Sequence, residues 1–393
     1  MSNVLVLNAG SSSLKYQLVN PDSGEVLADG IVEQIGEVAG RVKHKSAGEE
    51  TVRELPVPDH AEALQLVVSL FDEVGPRLAE VGVAAVGHRV VHGGATYSAP
   101  TLIDDDVVGG IEALIPLAPL HNPANVTGIK VARKLLDVPH VAVFDTAFFT
   151  TLPPAAYTYA IDTEIAEKYQ IRRYGFHGTS HQYVSGRVSE ILGRTDLKQV
   201  VLHLGNGASA SAVKAGVAVD TSMGLTPLEG LVMGTRSGDL DPAIIFHLHR
   251  QAGLSLDQID TLLNKRSGVK GLFGENDMRA LESAWNDGDP AAIAAMDVYR
   301  HRLVKYVAAY AGVMGGIDVL TFTAGVGEND PQLRNDVVEA LAFLGLAVDP
   351  AKNTPRSKEP RNVSPDGHQG PIVMVVPTNE ELAIARQTLA TIG

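Results

Sequence analysis

The chain opens on an aliphatic run, a turn of small residues and a second, alternating run. Val4 to Leu7 is apolar and partly β-branched, Ala9 to Ser13 contains only Ala, Gly and Ser, and a lone Lys15 follows. This pattern predicts a β-hairpin. A turn of Gly and Ser also exposes N–H and hydroxyl donors, and a nearby lysine adds the charge that a phosphate attracts. Both interpretations stay open, because the GxxxxGK[ST] spacing of the P-loop is absent.

The same pattern returns near the middle of the chain. QVVLHLGNGASASAVKAG, from Gln199, again combines a β-branched run, a glycine-rich turn and an alternating run. A further extended stretch follows each copy, EVLADGIVEQI after the first and VAVDTSM after the second, and helical and strand patterns then alternate. A hairpin, a third strand and αβ units predict a mixed sheet with helices on its faces. The sequence therefore predicts an α/β protein with two duplicated domains, whose turns face a cleft.

Capping residues mark two helix starts. Asn122 precedes Pro123, the order that places a cap before a proline in the first turn. In the last segment, TNEELAIARQTLATI, Thr378 is predicted to cap a helix, and Glu381 completes a capping box three residues later. Glu380 is then left for another role.

Composition limits the classes of function. With 393 residues, 45% of them hydrophobic, the chain can bury a large core in about two or three domains. The formal net charge of −14 disfavours nucleic acid and anionic membrane as partners. The absence of cysteine excludes disulfides, thiolate metal sites and cysteine nucleophiles. The N-terminus shows no basic start followed by an apolar segment, so we expect a cytoplasmic protein.

Two further glycine-rich segments are candidates for phosphate binding. HLGNG, from His203 to Gly207, follows an apolar run, and small residues there let the backbone approach a ligand. TAGVGEND, from Thr323, follows IDVLTF and precedes a helix predicted from Pro331, at a strand end where ligands bind. A plain hairpin, and capping by Asn329 or Asp330, explain the same residues without a ligand.

Five polar residues are candidates for chemistry. Arg89, in GHRVVHGG, and Arg236, in MGTRSGDLDP, sit beside glycines at predicted strand ends, where they either form ion pairs or bind an anion through the guanidinium. Asp145 ends the apolar strand VAVF, where a carboxylate is costly unless it is paired. His177 and His203 are either ordinary buried histidines or members of a site.

As a whole, the sequence resembles the acetate kinase family. The motifs that support the resemblance run in order along nearly the whole chain: VLVLNAGSSSLK, GFHGTSH, HLGNGAS, TPLEGLVMGTRSGDLDP, AGVGEN and PTNEEL. The resemblance implies duplicated ribonuclease-H-like (actin-like ATPase) domains, with mixed sheets flanked by helices and an interdomain cleft. It implies an N-terminal domain of residues 1–148 plus 377–393, with the first phosphate turn and the metal site, and a nucleotide-binding domain of residues 149–376.

The activity implied by this resemblance is reversible, in-line phosphoryl transfer from ATP to acetate, giving acetyl phosphate, a precursor of acetyl-CoA, and ADP. It implies Mg²⁺, with Mn²⁺ as an alternative, and a homodimer that binds small molecules rather than nucleic acid or membrane. Two arginines, a histidine and Mg²⁺ would stabilise the charge on the phosphoryl group. Acetate is already ionised near neutral pH and needs no general base, so we expect Asp145 to orient Mg²⁺, its waters or an arginine.

Roles for individual residues follow from the resemblance alone. It implies catalytic roles for Asp145, His177 and Arg236, and metal binding by Asn8 and Glu380. Acyl-substrate binding is assigned to Arg89 and to a methyl pocket of four residues that composition alone would place in the core: Val91, Leu120, Phe176 and Pro227. Nucleotide binding is assigned to Lys15, His203, Leu204, Gly205, Asn206, Gly207, Asp277, Met278, Arg279, Gly325, Val326, Gly327, Glu328 and Asn329.

Two departures from the family pattern and two alternative functions remain. Ala210 stands where the family usually has a larger aliphatic residue, and Asn276 where serine is frequent. These departures bear on packing behind the phosphate turn and on the nucleoside contact, and neither removes a charged group from the reaction. A propionate or butyrate kinase would use the same machinery, since one methylene changes discrimination by only about 1–3 kcal/mol. A non-catalytic, nucleotide-switched protein of the same superfamily would have no need of the acyl-side arginine.

Overall fold

Strands and helices alternate along the chain of the computed structural model, which describes residues 2–10 and 12–393. Met1 and Ser11, which fall in the predicted N-terminal domain and, for Ser11, in its phosphate turn, lie outside the described residues. The strands are β1 (Asn3–Ala9), β2 (Ser13–Val19), β3 (Val26–Glu33), β4 (Gly40–Ser46), β5 (Glu49–Leu55), β6 (Val83–Val90), β7 (Thr101–Leu102), β8 (His140–Phe144), β9 (Lys198–Leu204), β10 (Ala208–Lys214), β11 (Val217–Thr221), β12 (Val319–Thr323), β13 (Arg361–Asn362) and β14 (Ile372–Val375).

The helices differ widely in length, from single turns to α11 with 25 residues. They are α1 (His60–Glu73), α2 (Asp105–Ala113), α3 (Asn122–Leu135), α4 (Pro154–Tyr157), α5 (Thr163–Lys168), α6 (Gly178–Leu192), α7 (Ala243–Ala252), α8 (Leu256–Lys265), α9 (Gly268–Phe273), α10 (Met278–Asn286), α11 (Pro290–Met314), α12 (Ala324–Asn329), α13 (Pro331–Ala340), α14 (Pro350–Asn353) and α15 (Glu380–Ile392), with 3₁₀ turns at Ile115–Leu117, Ala147–Thr151 and Ala342–Leu344. In the described part of the chain, none of them combines the length and apolar character needed to cross a membrane.

The chain divides into two units, each with its own sheet. Unit 1 comprises residues up to Thr150 together with Asn379–Gly393, and unit 2 is Thr151–Thr378. The sheet of unit 1 has the order β5-β4-β3-β2-β1-β6-β8-β7. Strand β1 runs antiparallel to β2 and parallel to β6, so that Asn8 lies opposite Lys15 on one side and Arg89 on the other. Register alone therefore sets these three residues side by side.

Helices cover both faces of the first sheet. Leu5 and Leu7 of β1 belong to the core that also contains Leu64 and Val67 of α1. The alternate residues of β1 and β8 face the C-terminal helix α15 and pack against Leu382, Ile384 and Ala385. The period of two along a strand explains why neighbouring residues enter different cores. Unit 1 is therefore completed by the last residues of the chain.

The second sheet repeats the central topology of the first. Its order is β11-β10-β9-β12-β14-β13, and β9 runs antiparallel to β10 and parallel to β12. The strands β3-β2-β1-β6-β8 of unit 1 show the same succession of a hairpin, a third strand on one side and parallel strands on the other. Both predicted hairpins, both third strands and the α/β class with mixed sheets and flanking helices are thus confirmed.

The capping prediction for Asn122 is wrong. Helix α3 includes Asn122 as its first residue, His121 occupies the cap position, and no side chain caps this helix. The Asn122 amide is instead turned towards the backbone of His92, whose N–H and C=O it binds at 3.2 Å each. The Asn122 side chain therefore satisfies the buried N–H and C=O groups of His92 instead of capping the helix.

The predicted cap of the last helix is also displaced by one residue. Asn379, not Thr378, caps α15, and its side chain accepts a hydrogen bond from the Leu382 N–H at 3.1 Å. The Thr378 hydroxyl lies 2.8 Å from the hydroxyl of Ser180, which satisfies it elsewhere in unit 2. Glu381 ion-pairs with Lys15 rather than forming a capping box.

Candidate active site

In unit 1, Arg89 forms the centre of a charged cluster at the ends of neighbouring strands. Arg89 Nε donates to Asp145 Oδ1 at 3.2 Å, and Nη2 forms a close ion pair with the second carboxylate oxygen. Nη1 donates to Asn8 Oδ1 at 3.2 Å. Asp145 directly follows β8 and has only 1% of its surface exposed. The sequence left an ion pair and a ligand site as alternatives for Arg89, and the structure gives it the ion pair, with a candidate catalytic residue as the partner.

Two glutamates at the start of α15 add negative charge to this cluster. Burial by itself would lower the pKa of Arg89, but Asp145, Glu380 and Glu381 together raise that pKa above its usual range. Burial raises the pKa of Glu380, an effect that Arg89 and Lys15 oppose and Glu381 reinforces. The Arg89 guanidinium therefore stays charged and is the counter-ion for several carboxylates.

Oxygen donors beside Arg89 match the chemistry of a hard cation. Asn8 offers an amide oxygen and Glu380 a carboxylate, the ligand types that Mg²⁺ prefers, usually with waters and phosphate oxygens completing its shell. In the described part of the chain, no group of three or more His, Asp or Glu side chains is arranged to hold a metal ion. The donor set therefore fits a cation shared with a phosphate better than a cation held by protein alone.

The predicted acyl-pocket residues of unit 1 differ in exposure. Val91 directly follows β6, is 6% exposed and donates its N–H to Asn125 Oδ1 at 3.1 Å. The Asn125 amide in turn donates to the carbonyl of Ala9 at 2.8 Å, which ties the end of β6 to the first predicted phosphate turn. Leu120, just before α3, is 49% exposed.

In unit 2, His177 occupies a strained position at the start of a helix. It precedes α6 with φ 57° and ψ 27°, the left-handed region that a residue with a side chain seldom adopts. Such strain persists only where the surroundings enforce it, and it is common at functional sites. The His177 ring stacks on His203, with 4.3 Å between ring centroids and 22° between ring planes.

Gly207 allows His177 and Arg236 to meet over the second glycine-rich turn. A Cβ atom at Gly207 would lie 2.7 Å from Arg236 Nη2 and 3.4 Å from His177 Nε2. Only glycine leaves room for both side chains at this point. The turn therefore places a guanidinium and an imidazole edge around one backbone position.

Arg236 is a buried cation, and among the described residues no carboxylate forms an ion pair with it. Its Nη1 donates to the carbonyl of Pro227 at 2.7 Å. Burial lowers the pKa of Arg236 to about 10, so the guanidinium is still charged at neutral pH. Sequence considerations favoured an ion pair for a single arginine, but within the described residues only burial shifts the pKa of Arg236, and no carboxylate does. The second alternative, recognition of an anion by Arg236, stays a prediction. A buried guanidinium without a counter-ion is suited to an anionic ligand.

A neighbouring loop holds the HLGNG turn from the side. Gly205 N–H donates to the carbonyl of Gly207 at 3.0 Å, and Gly234 N–H donates to the carbonyl of Asn206 at 2.9 Å. A Cβ at Gly234 would lie 2.0 Å from Asn206 Oδ1, so the two backbones approach as closely as glycine permits. Asn276, the residue that departs from the family pattern, donates to the same Asn206 oxygen at 3.2 Å.

The third glycine-rich segment is a helix rather than the predicted turn. Ala324–Asn329 forms α12, Asp330 follows it and caps the start of the next helix, and α13 begins at Pro331 as predicted. Ala324 takes the positive φ of 64° that brings the chain from β12 into the helix, and Asn329 donates to the Gly325 carbonyl at 2.8 Å. Glycines in AGVGEN indicated a turn, yet six residues complete a short helix.

Asp277, Met278 and Arg279 begin helix α10 at the protein surface. Asp277 caps the helix by accepting the Arg279 N–H at 2.9 Å, and its carboxylate also pairs with the Arg279 side chain at 2.8 Å. In this structure Asp277 and Arg279 therefore satisfy each other.

Sequence analysis missed a buried network behind His177. Ser209 of β10 hydrogen-bonds His177, just before α6, and His181 within it, and Ser211 hydrogen-bonds His181. Ser180 lies 2.8 Å from His203 Nδ1. The missed signal was spacing: ASASA puts Ser209 and Ser211 on one face of a strand, and His177 and His181 are one helical turn apart.

Phe176, assigned to the methyl pocket, is 2% exposed.

Comparison with known proteins gives matches along the whole chain. The model of the acetokinase family matches residues 3–386. An acetate kinase of Leifsonia xyli subsp. xyli is 56% identical over 397 residues, covering 100% of both chains. The crystal structure of Porphyromonas gingivalis acetate kinase superimposes with a TM-score of 0.94 at 44% identity, covering 100% of both chains. A propionate kinase from Francisella tularensis also reaches 0.94, at 41% identity, covering 99% of this chain and 100% of its own.

Proposed function

Because the chain belongs to the acetokinase family, we propose that it transfers the γ-phosphoryl group of ATP reversibly to acetate, giving acetyl phosphate and ADP. The observation that carries the proposal is the charged Arg236 beside His177, over the one glycine that admits both. Transfer of a phosphoryl group spreads negative charge over its equatorial oxygens, and preorganised donors at that position lower the barrier.

Arg236 and His177 would stabilise the phosphoryl group in transfer, and Arg89 would bind the acetate carboxylate. Among the described residues, Asp145 and Asn8 accept hydrogen bonds from three of the five N–H groups of the Arg89 guanidinium. Two N–H groups are then available to bind the acetate carboxylate. Asp145 then acts by orienting Arg89. A proton-accepting role is unnecessary, because acetate is ionised at neutral pH and attacks as the carboxylate.

Asn8 and Glu380 are the residues we expect to hold Mg²⁺, and Mn²⁺ is suited to the same oxygen ligands. When bound, the cation neutralises charge on the nucleotide phosphates. Register supports the choice of Asn8, since it lies opposite both Lys15 and Arg89. Glu380 begins α15, whose packing fixes it beside this cluster.

The remaining assignments concern the nucleotide. Lys15 and the segment from His203 to Gly207 would contact phosphates, through an ammonium group and through the backbone of a tight turn. Asp277, Met278 and Arg279, with Gly325 to Asn329, would contact the nucleoside. These segments offer an exposed guanidinium and a glycine-containing helix on which a planar base can rest.

The acyl pocket decides between acetate and a longer acid. We assign it to Val91, Leu120, Phe176 and Pro227. The propionate kinase from Francisella tularensis has the same fold at 41% identity, so fold similarity does not separate the two substrates. An additional methylene changes discrimination by only about 1–3 kcal/mol. We propose acetate as the preferred substrate because the relative from Leifsonia xyli, 56% identical over the whole chain, is an acetate kinase, and propionate is the second candidate.

The proposal extends to the form in which the enzyme works. We propose a cytoplasmic homodimer, since ATP is available in the cytoplasm and the family resemblance implies a dimer. We also propose that the two functional domains are residues 1–148 plus 377–393 and residues 149–376, close to the divisions at Thr150 and Thr378.

A hydroxylamine trap for acyl phosphates tests the function directly. Purified protein is incubated with Mg-ATP and acetate, propionate or butyrate at matched concentrations, and kcat/KM is determined for each acid. We expect the highest value for acetate. A higher value for propionate or butyrate would retain the mechanism and change the substrate. ATP binding without acyl phosphate from any acid would contradict the proposed reaction and favour a nucleotide-switched protein.

A further inference from the structure

Four side chains of unit 2 form a line of hydrogen bonds that ends on His177. The Ser211 hydroxyl lies 2.7 Å from His181 Nδ1, and His181 Nε2 lies 2.7 Å from the Ser209 hydroxyl. The Ser209 hydroxyl also lies 2.8 Å from His177 Nδ1. Ser209, Ser211 and His181 are fully buried, each with 0% exposure. We refer to these four residues as the histidine relay.

The direction of the relay follows from the hydrogen on Ser211. A hydroxyl has one hydrogen to donate, and within the described residues His181 Nδ1 is the partner of this side chain. A buried donor left unbonded costs about 1–3 kcal/mol. Ser211 therefore donates to His181 Nδ1. Burial, reinforced by His203, lowers the pKa of His181 well below its usual range, so the ring is neutral and its one hydrogen lies on Nε2.

The hydroxyl of Ser209 also has a single hydrogen to donate. His181 donates to its oxygen through Nε2, and the Ser209 hydrogen then has His177 Nδ1 as its partner in the described structure. His177 Nδ1 is therefore an acceptor, and a neutral His177 has its hydrogen on Nε2. This Nε2 edge is the one that faces the Gly207 backbone together with Arg236.

The histidine relay and the neighbouring Arg236 favour different tautomers of His177. A guanidinium beside an imidazole nitrogen attracts a lone pair and repels an N–H group. Arg236 alone would thus favour the tautomer with the hydrogen on Nδ1, which presents an acceptor to an anion. We propose that Ser209 and Ser211 are positioning residues that hold neutral His177 in the Nε2–H tautomer, so that it donates to an anionic group beside Arg236. This inference rests on the proposed function, in which that group is the phosphoryl group in transfer.

The tautomer of His177 can be measured without substrate. In protein labelled with ¹⁵N-histidine, two-bond ¹⁵N–¹H correlations distinguish a protonated from an unprotonated ring nitrogen, and a His177→Gln variant assigns the signals. We expect Nε2–H with an unprotonated Nδ1 in the wild type. A His177 ring with its hydrogen on Nδ1 would overturn the proposal.

Variants separate the relay from ordinary packing. Ser211→Ala removes a hydroxyl that does not contact His177, and we expect it to shift His177 towards the Nδ1–H tautomer because His181 loses its fixed donor. Ser209→Ala should shift it further. Ser185→Ala is the matched control, since this 3%-exposed serine of α6 donates to the His181 carbonyl and lies outside the relay. An unchanged His177 tautomer in Ser211→Ala would contradict the relay, even if Ser209→Ala failed to fold.

Kinetics then connect the tautomer to turnover. Loss of one oriented donor at a developing charge reduces kcat by about 100-fold, and a partial shift of tautomer in Ser209→Ala should reduce it by about tenfold, with KM values for ATP and acetate unchanged. Ser185→Ala should keep the wild-type kcat. If the wild type shows the Nε2–H tautomer but forms no acyl phosphate, the proposed function fails while the relay stands.

Discussion

At the scale of residues, the buried Asp145 carboxylate neutralises the charge of Arg89 and fixes the orientation of its guanidinium. Asp145 is almost entirely buried, and both carboxylate oxygens contact the guanidinium of Arg89. Removing one partner of such a pair leaves the other desolvated and uncompensated, which costs about 3–5 kcal/mol. The pair is therefore important for stability as well as for holding Arg89 in one orientation.

We predict that Asp145→Asn lowers the free energy of unfolding by about 3 kcal/mol, raises KM for acetate and lowers kcat, because Arg89 loses its counter-ion and its fixed orientation. Urea unfolding followed by circular dichroism and initial rates with the hydroxylamine trap measure these effects. Asp105→Asn is the control, since Asp105 pairs with Arg133 at the surface and should change little. Near-normal turnover in Asp145→Asn would exclude the orienting role.

Single residues were predictable where the chemistry limits the choices. Asp145 was a candidate because a carboxylate after an apolar strand needs a partner, and the structure supplies Arg89. The partners of His177 were not found, although their spacing was available. One helical turn from His177 to His181 rises about 6 Å, and Ser209 to Ser211 spans about 6.7 Å along a strand. The sequence does not state which helix faces which strand, so the match became visible only in the fold.

At the scale of elements, helix α13 has an N-terminal cap that is unusually buried. Asp330 accepts the Leu333 N–H at 2.8 Å and is only 4% exposed. Burial raises the pKa of Asp330 to about 6, against the ordinary value of 3.8. Between these two pH values the folded protein retains a proton that the unfolded chain has released. The free energy of unfolding therefore falls as pH rises from about 4 to about 6.

We predict that Asp330→Asn stabilises the protein at pH 7 by about 3 kcal/mol, because the amide oxygen keeps the cap without the buried charge. The difference from the wild type should disappear near pH 4, where the native aspartate is protonated. Chemical unfolding of both proteins across this pH range measures the difference. Asp59→Asn, which makes the same exchange at the exposed cap of α1, is the control for the effect of an asparagine cap as such. A variant less stable than the wild type at pH 7 would contradict the argument.

Elements were predicted best where the pattern is local. The two hairpins and their third strands follow from alternation and turn residues, and the structure contains them all. Helix starts were less predictable because distant groups compete for the capping side chains. Ser180 takes the hydroxyl of Thr378 from 198 residues away, and the His92 backbone takes the Asn122 amide. The AGVGEN helix was missed because glycine content indicates a turn even where six residues complete a helical segment.

At the scale of the whole molecule, unit 1 is built from both ends of the chain. Helix α15 covers one face of its sheet, where Ile384 and Ala385 are at most 1% exposed against Val4 and Val141. Gly87 of β6 permits this approach, since a Cβ there would lie 2.5 Å from the Thr388 hydroxyl. The hydrophobic pattern gave no indication of this return, which came only from the family resemblance. Unit 2 is continuous, with a separate core that includes Val184, Val201 and Val319.

We predict that removing residues 379–393 unfolds unit 1 and leaves unit 2 folded. Burying one large aliphatic side chain contributes about 1.5–3 kcal/mol, so loss of Leu382, Ile384 and the valines they cover approaches the whole stability of a domain, about 5–15 kcal/mol. Hydrogen exchange monitored by mass spectrometry should show lost protection in β1, β6 and β8 and retained protection in β9 and β12. Full-length Glu380→Gln separates structure from chemistry, because it keeps the helix and should keep protection throughout while losing acyl phosphate formation. Protection of β1 and β6 in the shortened chain would show that the first sheet is stable without its last helix, and the contribution assigned to α15 would then be wrong.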